Sequence, residues 1–240
     1  MNEIKQAIEQ IPLPEQLSDI TQKSLQQRPI KKKKVWLLSS VAVLFLAIFS
    51  SSLVFSDYIS ISDFFKSKEE KLAQIDEAEL VVQSDAFTIS LKQFVDYKEN
   101  ILLIHELNNF PYTLTDEDLI NRMIENELLY VEAKKAQISV EKEEVESYIS
   151  QVKLALAEAN DPIQNEIEAQ LAKALNIEVT EYYTHPVTFA KYERVLLEEK
   201  FVQKLYVNGE LNEQYNIEQY KKDLRLVNEN DIKIYTNKLK

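Results

Sequence analysis

Residues 114–140 read LTDEDLINRMIENELLYVEAKKAQISV, and their opening specifies a helix. Thr115 offers a side-chain oxygen for the N-cap. Asp116, Glu117 and Asp118 place three carboxylates in the first turn, where unpaired N–H groups and the helix dipole favour negative charge. Ile120, Ile124, Leu128 and Val131 then recur at i, i+4, i+8 and i+11, which sets them on one face. The rest of the chain points the same way. One glycine and six prolines in 240 residues leave little room for sandwiches, dinucleotide-binding folds or phosphate loops, all of which need glycine at their turns. The fold class expected is mainly α.

Working outward, a helix from near Ser139 would bury Val145, Ile149, Val152 and Leu156, and the next would bury Ile163, Ile167, Leu171 and Leu175. Thr180 is placed to cap a further helix that Pro186 must kink or restart before Phe189, Tyr192 and Leu196. A turn at Asn208 and Gly209 precedes another helix. Upstream, Leu80, Val81 and Val82 are β-formers, and Phe87 and Ile89 alternate after a turn at Ser84 and Asp85. This predicts a short strand, a turn and a helix from about Ser90. Ile232 and Ile234 alternate in DIKIY (231–235), which suggests a closing strand that pairs with residues 80–83 and ties the ends of the domain together.

The N-terminal part has a different chemistry. Residues 28–58 read RPIKKKKVWLLSSVAVLFLAIFSSSLVFSDY. Val35 to Phe55 carries no charge over 21 residues, and as a helix it would reach roughly 30 Å, enough to cross the hydrocarbon of a bilayer. Trp36 and Tyr58 suit the aromatic belts, while Arg28 and Lys31, Lys32, Lys33 and Lys34 mark the N-terminal side as cytoplasmic. A cleaved signal peptide is the rival reading, but its apolar core is shorter, about 7 to 15 residues, and 34 residues precede this run. The expected organisation is a cytoplasmic arm (1–34), a transmembrane helix (35–55), a stalk or leading helix (56–77) and an extracytoplasmic domain (78–240). Localisation follows as single-pass in the cell membrane, with the N-terminus inside.

Charge and cysteine usage exclude several function classes. The first 34 residues carry net +3 against −12 overall, which leaves −15 for the rest. A domain this acidic is a poor partner for nucleic acid, whose backbone demands a basic footprint. It is repelled by anionic lipid too, so the lysine cluster is the expected lipid contact. The absence of cysteine rules out disulfides, thiol catalysis and zinc thiolate sites.

Two stretches carry a resemblance. VVQSDAFTISLKQFVDYKENI (81–101), followed by LTDEDLINRMIENELLYVEAKKAQISVEKEEVESYI (114–149), resembles the N-terminal chaperone domain of the SurA and PrsA family of extracytoplasmic folding factors. The strand, turn and aromatic-bearing helix correspond to Val82, Thr88, Ile89, Ser90 and Phe94. The following helix matches at Leu128, Leu129, Glu132, Ala133, Lys135, Ile138 and Val140, and its continuation at Glu143, Glu144, Val145 and Ile149. LAKALNIEVTEYYTH (171–185) and YKKDLRLVNENDIKIY (220–235) resemble later segments of the family. The chain departs from the pattern with Glu141 where a serine or aspartate cap is common, which moves the expected cap to Ser139, and with Asn176 in place of a glycine. The resemblance implies a SurA-N-like helical domain with a small β pairing of its ends. The family's glycine-rich parvulin prolyl isomerase module has no counterpart here.

No constellation for chemistry stands out. His105 and His185 are eighty residues apart and lack metal-ligand spacing. Glu141, Glu143, Glu144 and Glu146 read as a solvated helix face, and Asp116 to Asp118 as a helix start rather than a calcium loop. A serine nucleophile would need an elbow glycine. An enzyme is therefore not expected, and neither is a cofactor or a metal. For binding, ILLIHELNNFPYTLT (101–115) holds more apolar residues than one buried stripe requires. Leu103, Leu107 and Phe110 suit a core, which leaves Ile101, Ile104 and Tyr112 as candidates for a client groove.

The function expected is that of a membrane-anchored chaperone on a bacterial, Gram-positive-type cell surface, holding unfolded or exported polypeptides without ATP or isomerase activity. The alternative is a single-pass signalling or assembly scaffold with one dedicated partner. In that reading two short apolar stripes in the arm, Ile4 to Ile11 and Leu17 to Leu25, could dock a cytosolic protein.

Overall fold

The computed structural model describes residues 60–159 and 161–238. The arm, the apolar run and the orienting residues Arg28, Lys31 to Lys34 and Trp36 lie outside them. Among the described residues no helix is long and apolar enough to cross a membrane. The elements are α1 (Ile61–Ala73), β1 (Leu80–Gln83), β2 (Thr88–Ser90), α2 (Leu91–Leu107), α3 (Asp116–Lys135), α4 (Lys142–Ala159), α5 (Pro162–Ala174), α6 (Pro186–Val207), α7 (Ile217–Val227) and β3 (Lys233–Ile234). The described chain is mainly helical, with one small sheet.

Helix α3 begins as its sequence dictates. Thr115 Oγ1 accepts from the Asp118 N–H at 3.1 Å, and the Asp118 carboxylate accepts from the Thr115 N–H at 2.8 Å. This is a capping box with aspartate in the usual glutamate place. Its buried surface is wider than the predicted stripe. Ile120, Ile124 and Leu128 pack with Val81, Val82, Ile89 and Phe94, whereas Leu129 and Ala133 pack with Phe201, Leu205 and Leu211. The row 125–129–133 lies about 100° around the helix from 120–124–128, so α3 serves two apolar clusters. Val131, expected on the stripe, is only half-buried.

The sheet has the order β2-β1-β3, antiparallel throughout. Ser84 closes the β1–β2 turn, its Oγ accepting from the Phe87 N–H at 3.0 Å. β3 pairs with β1 in the register Val82↔Ile234 and Gln83↔Lys233, so the C-terminal strand ties back to residues 80–83 as expected. A register shift between Leu80 and Val82 breaks the period-2 alternation, and Val81 and Val82 are both fully buried. Ile232 packs on the core, but Ile234 stays exposed on this short edge strand.

Helix starts account for the main differences from the sequence reading. Helix α4 begins at Lys142, and the Glu141 N–H is satisfied by Glu144 Oε2 at 2.9 Å. Ser139 therefore does not cap it, and its carbonyl instead accepts from Lys200 Nζ at 2.9 Å. Thr180 does not cap a helix either, because it lies inside a 3₁₀ turn, Val179–Glu181. Pro186 restarts the chain as α6 from the first helical position, where a missing N–H is harmless, and His185 is the N-cap. At the front of the body, α1 packs rather than projects. Ile61 and Phe65 are buried with Leu103 and Ile167, and Lys68 and Lys71 reach Asp96 and Glu99 on α2 at 2.8 and 2.9 Å.

Among the described residues four, each after a helix end, have positive φ: Asn109 (52°), Gln137 (54°), Asn176 (56°) and Gly209 (77°). Only the last is glycine. A left-handed conformation strains an L side chain, and glutamine lacks the local hydrogen bonding that eases it for asparagine. Gln137→Gly is expected to raise stability by about 0.5–1 kcal/mol, read from the midpoint of denaturant unfolding. Glu125 is only 6% exposed and accepts from Arg225 Nε at 3.0 Å. Arg225→Met would leave that carboxylate without its cation and cost about 3 kcal/mol, whereas Glu125→Leu combined with Arg225→Met is expected to be close to neutral.

Candidate polypeptide-binding surface

Of the three residues singled out for a groove, Ile101 and Ile104 lie on α2 and Tyr112 in the loop after it. Ile101 is half-buried and packs on the cluster of Phe94 and Ile120. Ile104 is half-buried as well. Tyr112 sets its ring edge-on to His105 at 5.4 Å, with a buried hydroxyl that makes no hydrogen bond among the described residues. Leu103 and Leu107 go to the core as expected, but Phe110 does not, being 55% exposed. The chain reverses at Asn109, which turns Phe110 away from the α2 stripe.

A cleft opens elsewhere, between the C-terminal half of α3, the end of α6 and α7. Its volume is about 290 Å³, with a floor of Phe201, Leu205 and Tyr220. Glu132, Lys135, Lys204 and Glu210 stand around the floor, so both signs of charge are present. The position follows from local sequence. Ala136 and Gln137 end α3, and Asn208 and Gly209 end α6. Just before that end, Tyr206 is exposed and Val207 is 79% exposed. A floor of Phe201, Leu205 and Tyr220 ringed by charges of both signs suits an extended segment of varied composition. Sequence reasoning missed this surface, although Leu205, Tyr206 and Val207 stand in a row and one helical stripe cannot bury three consecutive residues.

The tyrosines are not spread as a surface film. Tyr148, Tyr182, Tyr183 and Tyr192 gather between α4, α5 and α6, with neighbouring rings 5.2 to 6.2 Å apart. Tyr183 donates to Glu168, and Tyr148 donates to Glu199 at 3.1 Å. Burial pushes all four phenols above their ordinary range. The carboxylates of Glu199 beside Tyr148 and of Glu168 beside the other three add to the shift. Nearby, Arg194 joins α6 to α3 through Glu127 at 2.9 Å and stacks 4.3 Å from the Tyr130 ring. Burial also raises the carboxyl of Glu198, against the opposing pull of Arg194, to which it is bonded at 2.7 Å.

These groups hold helices together rather than converge on an open site. His105 Nδ1 lies 3.1 Å from the Pro111 carbonyl oxygen, and His185 Nδ1 accepts from the Val187 N–H at 3.4 Å. Among the described residues no group of three histidine, aspartate or glutamate side chains is placed to hold a metal ion.

The tyrosine cluster sets an alkaline limit on stability. Below about pH 10 tyrosines keep their protons folded or unfolded, whereas above it the unfolded chain ionises first because the folded phenols are shifted up. Stability is therefore expected to fall as pH rises past about 10. Absorbance near 295 nm, a phenolate band, should show Tyr148, Tyr182, Tyr183 and Tyr192 ionising only as the fold is lost. Tyr183→Phe should reduce that late-ionising fraction.

Comparison of the chain with protein-family models, with curated proteins and with solved structures found no match.

Proposed function

We propose that this protein is a membrane-anchored, extracytoplasmic chaperone-like binder that holds unfolded or exported polypeptides without ATP, cofactor or isomerase chemistry. The observation that carries this reading is the cleft lined by Phe201, Leu205 and Tyr220, with Tyr206 and Val207 exposed at the same end of α6. Such a surface offers apolar contact and hydrogen-bonding charge of both signs without a shaped pocket for one small molecule. The order of motifs shared with SurA and PrsA N-terminal domains supports the same reading. So does the strand pairing of the two ends of the domain, which the resemblance leads one to expect. The uncharged run at 35–55 would keep the binder at the membrane, where exported chains emerge. A scaffold for one dedicated partner is the competing reading, and breadth of binding separates the two.

The full chain in lipid nanodiscs is expected to suppress light scattering by two unrelated denatured proteins diluted out of denaturant, relative to empty nanodiscs. Val207→Asp combined with Tyr206→Ser should abolish most of that suppression with little change in unfolding midpoint, since both side chains are exposed. Suppression of neither client by the folded wild-type protein would exclude a general holdase.

A further inference from the structure

We infer that the loop after α2, tipped by Phe110, is a second contact between this protein and the bilayer, seated in the interfacial layer. The inference rests on the reading of residues 35–55 as a membrane anchor, and its own support is geometric. Only residues 56–60 separate the apolar run from Ile61, the first residue of α1. Six residue steps reach at most about 20 Å, so the end of the body that carries Ile61 is held near the lipid surface. Helix α2 runs antiparallel to α1. Lys68 and Lys71 contact Asp96 and Glu99 in the first half of α2, whereas Ile61 shares a cluster with Leu103 and Leu107 near its end. The end of α2 therefore lies beside the start of α1, and Phe110 follows three residues after Leu107.

The loop is ordered to present a side chain there. Asn109 takes φ +52°, its N–H donates to the Glu106 carbonyl at 3.0 Å, and the Phe110 N–H donates to the His105 carbonyl at 2.8 Å. This is a Schellman closure, which fixes the direction of the residue after the turn. The Phe110 ring meets the His105 ring edge-on at 6.5 Å, the contact that accompanies such a turn, and Phe110 is still 55% exposed. Residues 107–115, LNNFPYTLT, carry no charge although the sequence after residue 55 is strongly acidic. An aromatic ring on an ordered, uncharged loop fits the headgroup boundary, where a charged loop would pay for desolvation. Asp116, Glu117 and Asp118 follow at once, so the chemistry favours zwitterionic over anionic headgroups.

The absence of cysteine makes single labelling direct. Full-length Phe110→Cys, and Gln74→Cys at the opposite end of α1, are labelled with an environment-sensitive fluorophore and reconstituted into phosphatidylcholine vesicles that contain nitroxide-bearing lipid. Quenching and a blue shift are expected at position 110, with the label at 74 unaffected. Unquenched emission at both sites, in protein that resists alkaline extraction, overturns the loop contact and leaves the anchor standing. Equal quenching at both sites also overturns it, because the body would then lie on lipid without preference for this loop. Release of the protein by alkaline extraction overturns the contact and the anchor together.

Discussion

Helix α3 has to bury two adjoining rows of side chains at once, and the rest of the described fold is arranged to let it. The row of Ile120, Ile124 and Leu128 meets the sheet and α2, and the row of Leu129 and Ala133 meets α6. Most charges of α3 stay off the two buried rows, and Glu125 is the exception. Glu125 falls on the second row one turn before Leu129, and it is retained in the interior because Arg225 of α7 reaches it. Helix α7 thus does two things. It covers the acidic position on α3, and it delivers the chain to β3, which pairs with β1. Closure of the domain's ends is a consequence of how α3 is covered.

The same demand explains where apolar side chains are left near an open cleft. Helices α3 and α6 both end in reversals at residues with left-handed backbone, Gln137 and Gly209. Near those ends α7 has Tyr220 and α6 has Phe201 at the floor of a cleft instead of a closed seam. Tyr206 and Val207 are exposed at the end of α6, before Leu211 returns the chain to the interior. Polypeptide binding at such a place needs no catalytic group. It needs apolar surface that the body does not use itself, and Tyr206 and Val207 offer some, as do Leu154, Leu226 and Val227 elsewhere among the described residues.

Much of this was legible in the sequence, for identifiable reasons. Thr115 with its three following carboxylates fixed the start of α3, and Ser90 the start of α2, because N-caps act locally. The β-forming run at 80–82 and the alternation at 232–234 revealed two strands, and their pairing followed from the domain needing its ends tied. Helix starts at Ser139 and Thr180 were misread because hydroxyl side chains are only one way to satisfy an N–H. Glu144 serves Glu141, and proline at position 186 needs no cap for its own nitrogen. Phe110 was assigned to the core on spacing, which presumes that the helix continues, whereas the chain turns left-handed at Asn109. The cleft was missed because it depends on how three helices meet across about 90 residues, which the row Leu205, Tyr206 and Val207 and the helix ends hint at but do not reveal by themselves. The clustering of Tyr148, Tyr182, Tyr183 and Tyr192 is hidden for the same reason.

The central claim is that an unfolded polypeptide settles in the cleft between α3, α6 and α7. Amide hydrogen exchange of the nanodisc-embedded protein, with and without a permanently unfolded client, tests it most directly, because exchange reports local opening segment by segment. The account predicts slowed exchange at residues 132–137 and 203–211, with the β1–β2 turn and α4 unchanged. Client-dependent protection confined to any other face, or none at a client concentration that saturates binding, would contradict it.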